Sequence, residues 1–158
     1  MARLTPQKRQ LLDDLVDEFL HNYGKGRTLL AVDGVHGAGE VATREFADAL
    51  AERLSRRGHS ASRASINGFH RRRAQRSVIV PDSAEGHYSD SFDYAIFRRV
   101  LVEPFRLGGS TGFVTAAWDV ERDAPVEMAW QTAPQDATLV IDGAFLNLET
   151  EATPMHVG

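Results

Sequence analysis

The feature that most constrains this chain is a glycine-rich loop placed directly after an apolar segment. Residues 28–33 read TLLAVD, which is typical of a short buried strand, and the loop GVHGAGEV follows at 34–41. Apolar residues then recur on one face from about residue 41 to residue 57, which predicts a helix. A strand, a glycine loop and a helix in this order form a phosphate-binding arrangement. The glycines that would cradle the anion are Gly34, Gly37 and Gly39.

The last two positions of this loop do not suit a nucleoside triphosphate. In working G-x-x-x-x-G-K-[ST] loops, lysine meets the phosphates and a hydroxyl holds Mg²⁺, whereas this chain has Glu40 and Val41 there. A carboxylate beside a phosphate is repelled by about 4 kcal/mol per pair of unit charges at ~4 Å and an effective dielectric of about 20. Glu40 has two interpretations. It either pairs with Arg44 in the first turn of the helix, or it projects into the pocket as an acid, base or ligand contact, with His36 nearby.

The rest of the chain alternates between predicted helices and strands. The predicted elements are an N-terminal helix over Thr5–Tyr23, a strand over Ser60–Ile66, a helix over Phe92–Val102 that Pro104 closes, loop and short hairpin strands over 107–136, and a buried strand over Ala137–Phe145. This order predicts one α/β domain with a mainly parallel sheet. Ligands of such folds bind at the carboxyl ends of the strands. Three features follow strands there: the glycine loop, residues 67–73, and Asp142-Gly143.

Composition excludes several classes of function. The 158 residues include no cysteine, which excludes thiolate metal sites and cysteine nucleophiles, and the net charge of -4 argues against binding nucleic acid through bulk electrostatics. No apolar run approaches the roughly 18 to 20 residues of a membrane span, and the first residues lack a secretory signal. We therefore expect a cytoplasmic protein with neither nucleic-acid nor membrane partners. We also expect no metal site, because the spacing of His36, His70 and His87 fits no metal motif.

Five segments resemble the bacterial uridine kinase family of P-loop nucleoside kinases, and together they span about residues 28 to 148. The segments are GVHGAGEV (34–41), ASINGFHRRRAQR (64–76), DSAEGHYSDSFDY (82–94), TAAWDVERDAPVE (115–127) and LVIDGAFL (139–146). The resemblance implies a P-loop kinase-like three-layer αβα fold with a short, mainly parallel sheet. It divides the single domain into an N-terminal helix (1–26), a uridine kinase-like core (27–148) and a C-terminal tail (149–158).

The resemblance also implies roles for individual residues. The family's second block typically reads Asp-Asp-Phe-His-Arg, and its first aspartate accepts the proton of the nucleoside 5′-hydroxyl. Asn67 and Gly68 take the places of the two aspartates here, and asparagine cannot act as that base. Trp118 lies where the family has an aromatic residue beside the nucleoside, so it either stacks on a flat ligand or is an ordinary core or rim aromatic. The ligand-binding residues that follow from the resemblance are Gly34, Gly37, Gly39, Asn67, Phe69, Arg71, His87, Tyr88, Trp118 and Asp119.

The arginines beside this block have two interpretations. They form either an anion site or, as charge runs more often do, part of a solvated loop. The residues are Arg71, Arg72, Arg73 and Arg76.

Family members continue after the Asp-Gly strand with further strands and an arginine-bearing lid, whereas this sequence ends at Gly158. By this comparison it lacks the phosphate lysine, the metal hydroxyl, the catalytic base and the lid arginine, so we expect no cofactor and no Mg-ATP. The missing strands would also leave an edge of the strand at 28–33 open. We expect another element or a partner chain to cover it. The candidates are the N-terminal helix and a second copy of the chain, with a homodimer preferred.

Three functions therefore remain open, each with a small molecule as ligand. The first is an enzyme, for instance in biosynthesis, that uses the old cleft for acid/base chemistry. Its candidate catalytic groups are Glu40, His36, His70 and Asp142. The second is a noncatalytic pseudokinase that binds a nucleoside or metabolite, and the third is a residual ATP-dependent nucleoside kinase.

Overall fold

The computed structural model describes residues 5–32, 39–69, 92–119, 121–143 and 155–157, with residues 39, 40 and 155–157 described by their backbone alone. The helices are α1 (Pro6–Tyr23), α2 (Gly39–Arg56) and α3, which covers residues 94–107. The strands are β1 (Arg27–Val32), β2 (Ser60–Ser65), β3 (Trp118–Asp119), β4 (Ala124–Pro125), β5 (Ala137–Asp142) and β6 (Met155–Val157), and a 3-10 turn (Ile66–Phe69) follows β2. Within this described part of the chain, no helix has the length and apolar character that crossing a membrane requires.

Helix α1 begins and ends where the sequence predicts. The Thr5 hydroxyl accepts a hydrogen bond from the Lys8 backbone N–H at 3.2 Å, and proline occupies the first helical turn. At the other end, the Gly24 N–H donates to the Leu20 carbonyl at 3.0 Å. The side chains that α1 buries are Leu12, Val16 and Phe19. They recur at helical spacing, so one face of α1 packs onto the domain.

The main sheet has four strands in the order β2-β5-β1-β6, and every pairing in it is parallel. Strand β5 is buried along its whole length, as expected for a central parallel strand covered on both faces. One face packs against α1 and α2 through side chains that include Leu30, Val32 and Val140. The other face packs against α3 and the 3-10 turn through side chains that include Leu29, Leu139 and Ile141. The predicted three-layer αβα fold is confirmed.

The far edge of β1 is covered by an element that the sequence does not reveal. Strand β6 pairs with β1 in parallel, with Met155 opposite Leu30 and Val157 opposite Val32. Helix α1 instead lies on a face of the sheet, against α2. The expectation that another element covers this edge is therefore confirmed for Leu30–Val32, but that element is β6 and not one of the two candidates, α1 and a second copy. The homodimer stays a prediction, but this edge no longer gives a reason for it.

Helix α3 does not close at Pro104 as the sequence predicts. It continues to Leu107, with a π-helical turn (Arg98–Val102) between α-helical segments (Tyr94–Phe97 and Glu103–Leu107). Proline has no N–H for the carbonyl of Val100, four residues earlier. That carbonyl accepts instead from the Val114 N–H at 3.0 Å. The loss of one helical hydrogen bond is thus offset by a contact with the next segment, and the chain stays helical.

The described residues between 108 and 136 form loops and short antiparallel pairings, as predicted, although Leu107 still belongs to α3. Arg27 of β1 fastens the end of this region to the domain. The hairpin pairs β3 with β4. The Arg27 Nε donates to the Pro134 carbonyl at 2.7 Å, Nη1 donates to the Phe105 carbonyl at 2.7 Å, and Nη2 donates to the Ala133 carbonyl. The guanidinium also lies 5.0 Å from the centre of the Phe105 ring. One side chain thereby joins β1, α3 and the segment that leads into β5.

His59, just before β2, is expected to make the stability depend on pH. Its Nε2 lies 2.9 Å from the Thr138 hydroxyl. Burial lowers the pKa of His59 below its usual 6.5, and the charge of Asp136 partly counteracts this. Since the unfolded chain then binds the proton more tightly, this contribution to stability is complete above about pH 6.5 and is lost as the pH falls.

We expect the melting temperature to drop less between about pH 7 and pH 5 in His59→Asn than in the wild type. Parallel pH profiles in thermal melts would contradict this.

Candidate functional site

The candidate site lies at the carboxyl ends of the parallel strands β1, β5 and β2. Two bonds join these ends. The Gly143 N–H donates to the Val32 carbonyl at 3.2 Å, and the Ser65 hydroxyl donates to Asp142 Oδ2 at 3.1 Å. Asp142-Gly143 therefore lies beside the end of β2, and the segment after β2 is described only as far as Phe69. The third predicted feature follows β1, but residues 33–38 lie outside the described part of the chain.

Asp142, one of the predicted catalytic groups, is buried at the end of β5. Its side chain is 1% exposed, and its second oxygen, Oδ1, lies 2.8 Å from Nη2 of Arg63. Both carboxylate oxygens thus have partners, one in the hydroxyl of Ser65 and one in a guanidinium. A general acid or base must reach its substrate directly or through one water. These surroundings favour a structural role for Asp142, and its catalytic role stays a prediction.

Arg63 is the residue of this site that the sequence analysis misses. Its Nε pairs with Asp48 of α2 at 2.8 Å, and its Nη1 donates to the carbonyls of Ala64 at 2.6 Å and Val140 at 3.0 Å. A signal for it exists in the sequence. Strand β2 reads SASRAS, so Arg63 is its only charged residue, and the facing strand β5 ends in an aspartate. A lone arginine beside such a strand end indicates an internal ion pair.

Asn67 and Gly68 lie in the 3-10 turn after β2. The Asn67 N–H donates to the Ser65 hydroxyl at 3.2 Å. The Gly68 carbonyl accepts from the Ala117 N–H at 2.8 Å, and a Cβ at Gly68 would lie only 2.9 Å from the Cβ of Ala116. The close approach of the segment at 115–117 therefore leaves little room for a side chain at position 68.

Phe69 was predicted to bind ligand, but it lies in the core. Its side chain is buried, and its ring meets that of Phe97 edge to face at 5.1 Å. This packing stabilises the 3-10 turn that contains Phe69. A direct contact of Phe69 with a ligand stays untested.

A pocket of about 240 Å³ opens between the end of β2 and the segment at 115–116. Its lining residues are Arg63, Ala64, Ser65, Gly68, Thr115 and Ala116. Most of these side chains are small, and two carry hydroxyl groups. The pocket lies where α/β folds bind their ligands, at the carboxyl end of a strand.

Trp118 and Asp119 form β3, close to the 3-10 turn. The indole Nε1 of Trp118 is buried, and it has no hydrogen-bond partner among the described residues. A buried donor of this kind costs free energy unless an acceptor is supplied. Asp119 Oδ1 accepts from the backbone N–H groups of Glu121 at 3.0 Å and Arg122 at 3.2 Å, so it caps the hairpin turn. The ligand-binding roles of both residues stay predictions.

The remaining predicted site residues lie at the start of α2 or outside the described ranges. Gly39 and Glu40 begin helix α2, but the Glu40 side chain is not described, so neither its pairing with Arg44 nor its projection into the pocket is tested. The residues outside the described ranges are Gly34, His36, Gly37, His70, Arg71, His87 and Tyr88, together with the other arginines of that cluster.

The resemblance implies a Mg²⁺ ion, and the described residues do not fit one. In P-loop enzymes the ion is held by the hydroxyl of the loop and by an aspartate at a strand end. Val41 stands at the hydroxyl position with a 59% exposed side chain, and Asp142 is occupied by Arg63 and Ser65. Across the described ranges, no three His, Asp or Glu side chains come together as a metal site.

Among the comparisons with known proteins, the one with solved structures identifies the fold. No family model matches the chain, and no curated protein matches it. A solved structure described as a possible uridine kinase from Bacillus stearothermophilus is similar to it, with a TM-score of 0.75 and 19% sequence identity. The similarity covers 95% of this chain and 79% of that one. The chain therefore has a uridine kinase-like P-loop kinase fold.

Proposed function

We propose that this protein binds a nucleoside-like small molecule at the carboxyl ends of β2 and β5 without transferring a phosphoryl group to it. The similar solved structure is described as a possible uridine kinase, which supports a nucleoside as the class of ligand. The pocket of about 240 Å³ is small beside the roughly 300 to 1,000 Å³ of most ligand sites. It therefore suits a compact molecule better than a dinucleotide.

The observation that carries this proposal is the chemistry of the pocket wall. Among the described residues, Arg63 is the only charged one that lines the pocket, and it already donates to Asp48, Asp142 and two backbone carbonyls. The other described lining residues offer hydroxyl and backbone groups, which bind and orient a ligand but do not transfer protons near neutral pH.

The sequence supports the absence of phosphoryl transfer. Glu40 and Val41 replace the lysine and the hydroxyl of a working loop, and Asn67 replaces the base. Phosphoryl transfer depends almost wholly on positioning and on stabilising charge, so losing these groups together removes most of the catalysis.

Acid/base chemistry is the first function that the sequence suggests, with four candidate catalytic groups. In this proposal one of the four, Asp142, has a structural role instead. Asp142 has both oxygens bonded and is buried. Glu40, His36 and His70 stay as predicted catalytic groups, so the test below follows turnover as well as binding.

Thermal melts with single nucleosides, followed by calorimetry, test the proposal. At about 100 times its dissociation constant, a bound nucleoside is expected to stabilise the fold by about 2.7 kcal/mol, or roughly 8 °C for a chain of this size. Chromatography after incubation with Mg-ATP should show the nucleoside unchanged. Formation of a nucleoside monophosphate would establish a kinase, any other product would establish an enzyme, and no stabilisation by any nucleoside would remove the proposed ligand.

A pair of glycine variants ties the binding to this pocket. Gly68→Ala places a methyl group against Ala116 and is expected to weaken nucleoside binding at least tenfold, because the pocket wall must shift. Gly109→Ala is the control, because Gly109 is not among the described residues that line the pocket. No atom lies within 4 Å of an added Cβ there, so the substitution costs only the backbone strain of a φ of 61°. It should bind the nucleoside as the wild type does.

A further inference from the structure

We infer that Arg63 is a built-in counter-cation for the carboxylate at the end of β5. It takes the position that a divalent metal ion has in phosphoryl-transferring relatives of this fold, so the site needs no metal ion. The inference concerns Arg63, Asp48 and Asp142 and holds whichever ligand the pocket binds. It goes beyond the proposed function, because a nucleoside-binding site can be metal-dependent or metal-independent.

The geometry of the carboxylates is the first argument. One guanidinium serves two of them, with its Nη2 2.8 Å from Asp142 Oδ1 and its Nε 2.8 Å from Asp48 Oδ1. The second oxygen of Asp142 is taken by the Ser65 hydroxyl. A metal ion at Asp142 would have to displace the arginine, and Mg²⁺ gives up its water reluctantly.

Burial is the second argument. Asp142 has a side chain that is 1% exposed, and that of Arg63 is 22% exposed. A buried carboxylate needs a compensating charge, which either a metal ion or a cationic side chain can supply. The position of the Arg63 guanidinium is fixed, because its Nη1 also donates to the backbone carbonyls of Ala64 and Val140. It cannot turn away from Asp142 without losing bonds to β2 and β5.

Removing the arginine should therefore make the site responsive to cations. In Arg63→Gln, two carboxylates and the Ser65 hydroxyl remain around the vacated guanidinium position. Oxygen groups of this kind are the ligands that Ca²⁺ and Mg²⁺ prefer. The variant would thus exchange a built-in cation for one from solution.

Melting temperatures in EDTA and in millimolar Ca²⁺ or Mg²⁺, at matched ionic strength, test this. The wild type is expected to melt at the same temperature in all of these solutions. Arg63→Gln should melt about 10 °C lower in EDTA, because a buried carboxylate has lost its partner, and should regain several degrees in the divalent cation. A wild type that is stabilised by Mg²⁺, or an Arg63→Gln protein that regains nothing, would overturn the inference.

Arg53→Gln is the matched control. Arg53 has a side chain that is 18% exposed and pairs with Asp13 at 3.6 Å, so the variant removes the same charge at similar exposure. Its melting temperature should not depend on divalent cations, and an equal response to that of Arg63→Gln would count against a specific site.

A second measurement keeps the inference testable if Arg63→Gln does not fold. Mn²⁺ bound to the protein is counted by electron paramagnetic resonance in the wild type and in Asp142→Asn, which is close to isosteric. The two proteins should bind equal amounts of Mn²⁺, because Arg63 already occupies Asp142. Less Mn²⁺ bound by Asp142→Asn would show that the carboxylate ligates the metal and would refute the inference.

Discussion

Replacing Gly143 with alanine is expected to lower the free energy of unfolding by about 4 kcal/mol, the sum of backbone strain and a steric clash. Gly143 has a φ of 148°, in a region that side chains disfavour. An added Cβ would also overlap the Cγ2 of Ile66 and lie 2.9 Å from its Cβ. Ile66 is buried at the start of the 3-10 turn, so it has little room to move. Urea denaturation followed by circular dichroism measures the loss.

Gly58→Ala separates the two parts of this effect. Gly58 also has a positive φ, of 79°, but no atom lies within 4 Å of the position of an added Cβ. Only the strain remains there, and we expect a loss of about 1 kcal/mol. If both variants lost the same free energy, close packing of Gly143 against Ile66 would not be what requires glycine after Asp142.

Arg27→Met is expected to lower the free energy of unfolding by about 3 kcal/mol, since it removes hydrogen bonds from a charged donor. The guanidinium bonds the carbonyls of Phe105, Ala133 and Pro134, and it lies over the Phe105 ring. Methionine keeps much of the apolar stem but leaves these carbonyls without their donor. Urea denaturation again gives the value. The hairpin region should also become more sensitive to protease, because Arg27 ties its end to β1.

Arg27→Lys tests whether the planar fork matters or only the positive charge. A lysine ammonium is a compact charge and cannot hold three carbonyls in the arrangement that a guanidinium allows. We expect Arg27→Lys to recover less than half of the loss. Full recovery would mean that charge alone fixes this junction.

The sequence predicts the elements whose signals are local. The apolar runs of β1 and β5 indicate buried parallel strands, and Thr5-Pro6 marks the start of α1. Elements that depend on distant partners are missed. Strand β6 has only three residues, Met155–Val157, which form a strand because β1 offers an edge. Pro104 reads as a helix stop, since nothing near it reveals that Val114 will supply the missing donor.

The site follows the same division. The order of strands is enough to predict that Asp142 and the segment at 67–69 meet, because parallel strands end at one edge. Whether the Asp142 carboxylate is free to bind a ligand is not predictable in this way. Its availability depends on Arg63, which lies 79 residues earlier and faces it only because β2 pairs with β5. A motif comparison aligns positions along the chain. It therefore identifies the aspartate but not the side chain that pairs with it in the folded protein.

The strand order also determines when the sheet can assemble. Strands β1 and β2 are close in sequence, yet they do not neighbour each other, because β5 lies between them. Arg27 pairs with Ala137, which is 110 residues later (137 − 27), and Ser60 pairs with the same residue. During synthesis on the ribosome, neither early strand can therefore find its β5 partner until residues 137–142 have emerged. Sheets built from such distant pairings fold slowly. The apolar strand β1 therefore has no β5 partner while most of the chain is made.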